Sequence, residues 1–379
     1  MPRLSRPPLR VWVWTAATLA LVVVAALLWR GSDAAATEST TAAPADVPSG
    51  TPAGAVSEAW SAEGGAMPET VVQSGRVLVT TAHGIRALDP LTGEEAWHYT
   101  RSNARLCGAT VTDGLAVAVF ATGDRCDEAV ALRAGTGVRA WTRSLSLRGD
   151  ARLDSTTRIV LATSPTGLVT LDPTGNNIRW RYAPPQGCRL LGADVGNAGV
   201  AVLLECADDD AVQLRLLDGF QGDEHWARDL PAAEGAEVRL LGADGLIGVL
   251  VGDEVQALAP EDGALRARLP ASEDAAQLTV GAVALFRSGG TLSALDAVTG
   301  APRWESPALG LPAAALVDKD DATPGALLVP DAEGFAHRDP ATGAELARSS
   351  VDGLPEGGVA TGIGPVVVYR LPDRVLAYR

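Results

Sequence analysis

The sequence predicts an all-β fold: an eight-bladed β-propeller closed by an N-terminal strand and preceded by one transmembrane helix. Three observations predict it. A strand–turn–strand pattern ending in Trp recurs along the chain, its copies fall 37 to 46 residues apart, and helix-period patterning is absent after residue 30. The 41 Gly and 24 Pro among 379 residues favour many turns over long helices.

The first element is apolar. Residues 11–29, VWVWTAATLALVVVAALLW, carry no charge, and a helix of that length reaches about 28 Å, close to the hydrocarbon thickness of a bilayer. Trp12, Trp14 and Trp29 stand near its ends, where an indole suits the interface. Arg3, Arg6 and Arg10 precede it, which predicts cytoplasmic residues 1–10 and export of everything after Arg30. A cleaved signal peptide, with Ala34-Ala35-Ala36 as processing site, is the alternative; the stretch exceeds the usual secretory core of about 7–15 residues. No Cys follows the apolar run at a lipoprotein position.

Residues 31–55 are Ala, Thr, Ser, Pro and Gly with no aromatic residue. Such a composition predicts a flexible linker, because it buries too little apolar surface to offset its ordering entropy.

The repeat occupies residues 56–379. Its clearest copies are IRALDPLTGEEAWHYT (85–100), LVTLDPTGNNIRWRYA (168–183) and LSALDAVTGAPRWESP (292–307). Asp opens the turn and Gly supplies its positive φ. Trp marks the copies at Trp60, Trp97, Trp141, Trp180, Trp226 and Trp304, while Ala267 and Ala347 stand in its place in two more. Eight units over 324 residues average 40.5 each, within the range of a four-stranded blade. Trp60 lacks a Leu-Asp strand before it, and the final copy, VVVYRLPDRVLAYR, stops where its Trp strand is due. A ring that borrows its last strand from residues near Trp60 closes both gaps and removes an exposed sheet edge.

The pattern at Leu88-Asp89-Thr92-Gly93-Trp97 and Leu295-Asp296-Thr299-Gly300-Trp304 resembles the tryptophan-docking repeat of quinoprotein-type (PQQ-like) propellers and of BamB-type outer-membrane assembly lipoproteins. At Leu171-Asp172-Trp180 the turn is one residue out of register. The resemblance implies that each Trp packs on the neighbouring blade and its turn, an architectural role that says little about activity. It also implies, for the dehydrogenases that share the repeat, a vicinal Cys-Cys pair and a calcium site. No two Cys are adjacent here.

Cys107 and Cys126 bracket one apolar segment, and Cys188 and Cys206 another. Both segments read as the first two strands of a blade. An antiparallel hairpin brings the start of one strand beside the end of the next, which selects the bonds 107–126 and 188–206. Structural disulfides accord with an oxidising, extracytoplasmic compartment; a zinc site needs closer pairs.

Other chemistry is sparse. His83, His98, His225 and His337 fall in different repeats without ligand spacing. Asp208-Asp209-Asp210 and Asp318-Lys319-Asp320-Asp321 lack the order of a calcium loop and read as solvated tips. Gly362-Ile363-Gly364 lacks the third glycine of a dinucleotide motif. Of the net charge of −15, residues 56–379 carry −16, which disfavours nucleic acid and anionic surfaces.

The expectation is therefore a non-catalytic, membrane-tethered scaffold with no cofactor, binding an unknown protein, peptide or envelope component. Contacts are expected on loops around 121–128, 205–211 and 317–325. A PQQ-dependent oxidoreductase is the alternative.

Overall fold

The computed structural model describes residues 8–65, 67, 71–148, 151–207, 211–233, 235–313 and 325–379. Eight sheets, antiparallel but for one short added strand, follow one another along the chain, and the first strands of neighbouring sheets contact each other, so the sheets form a ring. In chain order the blades span residues 72–101, 105–144, 152–182, 188–230, 238–270, 276–307, 327–350 and 359–378. The eight-bladed propeller is the observed fold.

Closure follows the predicted route. Glu58–Glu63 joins the eighth sheet as its outermost strand, antiparallel to Arg374–Tyr378, with Trp60 opposite Ala377. A second addition was not legible: Leu311–Pro312 pairs parallel to Val359–Ile363 in the same sheet.

Burial explains why the middle strands read as apolar runs. Val160–Ser164 and Val200–Leu204 are buried at every position, because each blade packs a neighbour against both of its faces. Outer strands alternate instead, as in Glu58–Glu63 and Leu265–Pro270. Period-2 patterning is thus a property of blade rims, and the clusters of core residues lie between blades rather than within them.

The N-terminal helix α1 (Leu9–Arg30) is long and apolar enough to cross a membrane, and none of its residues is buried. The segment after it differs from expectation. Composition predicted a linker without structure, yet α2 (Asp33–Ala36) and the strand Thr37–Ser39 lie on blade 1, the strand pairing antiparallel with Glu95–Arg101. The chain continues across the ring, with Ala42 N–H bonded to Thr136 O and Ser350 N–H to Gly54 O. The attachment is mostly backbone hydrogen bonding to an exposed sheet edge, which side-chain composition does not report.

Candidate functional site

The predicted Trp residues form one device repeated around the rim. Each indole N–H donates to a carbonyl in the turn of the next blade: Trp60 to Pro90 at 3.0 Å, Trp97 to Ala134 at 2.9 Å, Trp141 to Pro173 at 2.8 Å, Trp180 to Gly219 at 3.1 Å, Trp226 to Pro260 at 2.8 Å and Trp304 to Pro340 at 2.9 Å. Where an accepting turn carries the Asp of the repeat, that Asp builds it: Asp89 Oδ1 accepts from the N–H groups of Leu91 and Thr92, and Asp339 Oδ1 from that of Thr342. Asp296 Oδ1 builds the same turn in blade 6 from the N–H groups of Val298 and Thr299, although Ala267 in the preceding blade sends it no indole. The hydrogen bond from Arg303, with those from Thr299 and Val298, holds the Asp296 carboxyl well below its usual range.

A glycine completes the fit. Gly93 has φ +73°, and a Cβ there would lie 2.7 Å from Trp60 Cγ. In the out-of-register copy Asn176 takes the left-handed position at φ +52° instead, and its Oδ1 accepts from Arg143 Nε at 2.9 Å. Asn tolerates that region better than other side chains.

The disulfides are 107–126 and 188–206. The second joins paired positions of the first two strands of blade 4. The first differs from expectation: Cys126 opens the third strand of blade 2, Arg125–Arg133, because the second hairpin turns on only Gly123-Asp124. Residues 121–128 are therefore a tight hairpin and not a long loop. Residues 208–210 and 318–321, with most of the 317–325 segment, lie outside the described residues.

The four histidines stay apart. His83 contacts Ala104 O at 2.8 Å, His98 pairs with Glu95 at 2.6 Å, His225 approaches Asp218 at 3.9 Å and His337 contacts Ser349 Oγ at 3.1 Å. Among the described residues no group of three or more His, Cys, Asp or Glu is placed to hold a metal ion.

What the sequence reading missed lies inside the ring. The first strands of blades 2 to 5 wall a cavity of about 690 Å3 whose lining includes Arg152, Asp154, Asp194, Glu237 and Arg239. Asp154 and Asp194 are half-buried, and both carboxyls are raised, first by loss of water. For Asp194 the nearby Asp154 and Asp244 carboxyls add repulsion, while backbone N–H groups of Val195 and Ala243 oppose the shift. Arg152 counters it at Asp154. Asp244 is also raised by burial, though Asn197 N–H bonds its Oδ1 at 3.1 Å. Three carboxyls that resist ionisation favour either a shared proton or an incoming cation. A signal existed: Leu-Gly-Ala-Asp occurs at 191–194 and again at 241–244, at the corresponding position of successive blades.

These residues do not fit a quinone–calcium centre of the kind the dehydrogenases use. All four Cys are bonded to partners 18 or 19 residues away, so none forms a vicinal pair.

The family model described as outer membrane protein assembly factor BamB matches residues 27–199 and 208–377. No curated protein matches the chain. Among solved structures, the computationally designed Ika8 protein is 14% identical, covers 83% of this chain and 97% of its own, and superposes with TM-score 0.55. BamB from Moraxella catarrhalis is 18% identical, with 86% and 97% covered and TM-score 0.45. A quinohemoprotein alcohol dehydrogenase from Comamonas testosteroni is 10% identical, with 86% and 76% covered and TM-score 0.49.

Proposed function

The chain belongs to the family of the outer membrane protein assembly factor BamB, and from that premise we propose that it is a membrane-held propeller that binds a protein or peptide partner and does no chemistry of its own. One observation carries the reading. The side chains that set the repeat apart, six indoles and four thiols, are all spent on fastening blades and strands. What remains for function is a rigid ring with loops at both ends and a carboxyl-lined interior.

In this reading α1 is an uncleaved anchor with its N-terminus in the cytoplasm, and the ring is extracytoplasmic, where disulfides persist. The channel carboxyls favour a partner that presents Lys or Arg.

Photo-crosslinking in cells tests the proposal, with the crosslinker at Arg152 on the channel wall and at Val298 on a blade rim. A discrete protein adduct from Arg152 alone is expected. If the purified chain loaded with quinone and calcium oxidises an alcohol with an artificial electron acceptor, the scaffold reading is wrong and the oxidoreductase stands.

A further inference from the structure

The indole lock is missing at two of the eight seams between blades, and the two gaps differ. Ala347 stands in the Trp position of blade 7, but blade 8 has no turn there to receive an indole, because its outermost strand comes from the N-terminal side of the chain. Other fasteners take over. The strap formed by residues 33–57 bonds Ser350 twice, through Gly54 O and Val56 N–H, both at 3.0 Å. Phe335 of blade 7 also packs on the rings of Tyr369 and Tyr378 in blade 8, at 5.7 and 5.4 Å.

The seam between blades 5 and 6 has no such substitute at its rim. The turn of blade 6 is complete, with Asp296 bonded to Val298 and Thr299 and with Gly300 at φ +72°. Its second residue, Ala297, holds the place of the residues whose carbonyls accept indole N–H groups at the six locked seams. Ala297 is 4% exposed, and its carbonyl receives no hydrogen bond among the described residues. A buried carbonyl without a donor is a cost that a locked seam does not carry. Nor is the socket open to a visitor. A Cβ on Gly300 would lie 2.6 Å from Arg266 Cβ, so the outer strand of blade 5 sits where an indole would stand. Arg266 itself makes no hydrogen bond or ion pair among the described residues.

The side-chain hydrogen bonds that cross this seam lie at its inner end. Arg239, on the first strand of blade 5, donates to Glu273 O and Ala275 O at 3.3 and 3.2 Å. Gln277, on the first strand of blade 6, donates through Nε2 to Leu246 O at 2.8 Å, while its Oε1 is buried without a partner. The seam is tied inside and untied outside.

We propose that blades 5 and 6 part at the rim before any other pair does, pivoting on their bonded inner strands, so that the ring carries one built-in hinge. The hinge stands away from the closing seam between blades 8 and 1, where Trp60 bonds Pro90. The ring therefore flexes open without undoing its closure.

Thiol labelling of the full chain tests this. Ala284, Ala162 and Ala201 lie on the second strands of blades 6, 3 and 4 and are each 0% exposed. They sit in the seams between blades 5 and 6, blades 2 and 3, and blades 4 and 5 respectively. The four native Cys are bonded, so A284C, A162C or A201C supplies the one free thiol. A maleimide should label A284C about tenfold faster than either of the others, the mark of a local opening. Adding Trp141→Ala should raise the rate at A162C to that at A284C and leave A201C slow. Equal rates at the three positions overturn the proposal. So does a Trp141→Ala chain in which A162C stays slow, or in which A201C quickens with it.

Discussion

Trp60 and Pro90 stand thirty residues apart and share the hydrogen bond that locks the closing strand of blade 8 onto the turn of blade 1. The bond joins the one strand that completes the ring from the N-terminal side to the first repeat that follows it. The same contact elsewhere joins blades already linked by a short connector, so Trp60 has the greatest consequence for closure, although it is only half-buried.

Removing indoles should rank by burial. Trp97 is fully buried beneath the strap, and Trp97→Ala should lower unfolding free energy by about 3–5 kcal/mol. Trp60→Ala should cost less in total. It should nevertheless increase protease cleavage near residues 58–63 and at the C-terminal strand more than Trp97→Ala does. Urea unfolding with mapped limited proteolysis checks both parts.

Gly93→Ala should destabilise by two separate effects. The left-handed backbone strains any side chain, by about 1–2 kcal/mol, and the added methyl meets Trp60. Gly353→Ala is the control, since its φ is +74° with nothing within 4 Å of the added carbon. The control should show the backbone part alone, and thermal unfolding of the two variants should differ.

The channel carboxyls set a pH dependence opposite in sign to that of the turns. Asp154 and Asp194 have pKa values raised above their unfolded value of 3.8, so the folded chain binds protons more tightly. Their contribution favours folding at low pH and is lost as pH rises from about 4 towards neutrality. Asp194→Asn should therefore raise stability at pH 7 by about 1–3 kcal/mol and leave it nearly unchanged at pH 4. Asp296 runs the other way: its lowered pKa gives stability that is present above pH 4 and lost below it. Denaturant titrations at the two pH values separate the groups.

Each disulfide should contribute about 3 kcal/mol, given closed loops of 19 and 18 residues. Cys188→Ala with Cys206→Ala should lower the unfolding midpoint without changing the blade count. Intact-mass measurement with and without reductant should show a gain of four hydrogens on reducing the native chain.

The ring was legible because its fasteners repeat. Trp, Gly and the turn Asp recur at blade spacing for a physical reason, six of the eight blades using the same indole lock on the next. The closing strand was legible from two incomplete copies that complete each other. The strap was not, since Thr37–Ser39 attaches through backbone groups that every sequence possesses. The channel carboxyls were not either: Asp154, Asp194 and Asp244 come from three blades, and no local spacing joins residues that meet only when the ring closes. Cys126 was placed one strand early because the hairpin before it is shorter than the interval between cysteines suggested.

Glu58–Glu63 precedes all eight blades in the chain and finds its partner in Arg374–Tyr378, beyond the other strands of every blade. That strand must wait, unpaired, until the strands of the blades between have been made. Seven blades can stack as they emerge, but the eighth is a race between the arriving tail and any other strand that reaches the open edge first. Closure of the circle therefore waits on Arg374–Tyr378, and a chain cut short of Arg374 leaves the circle open.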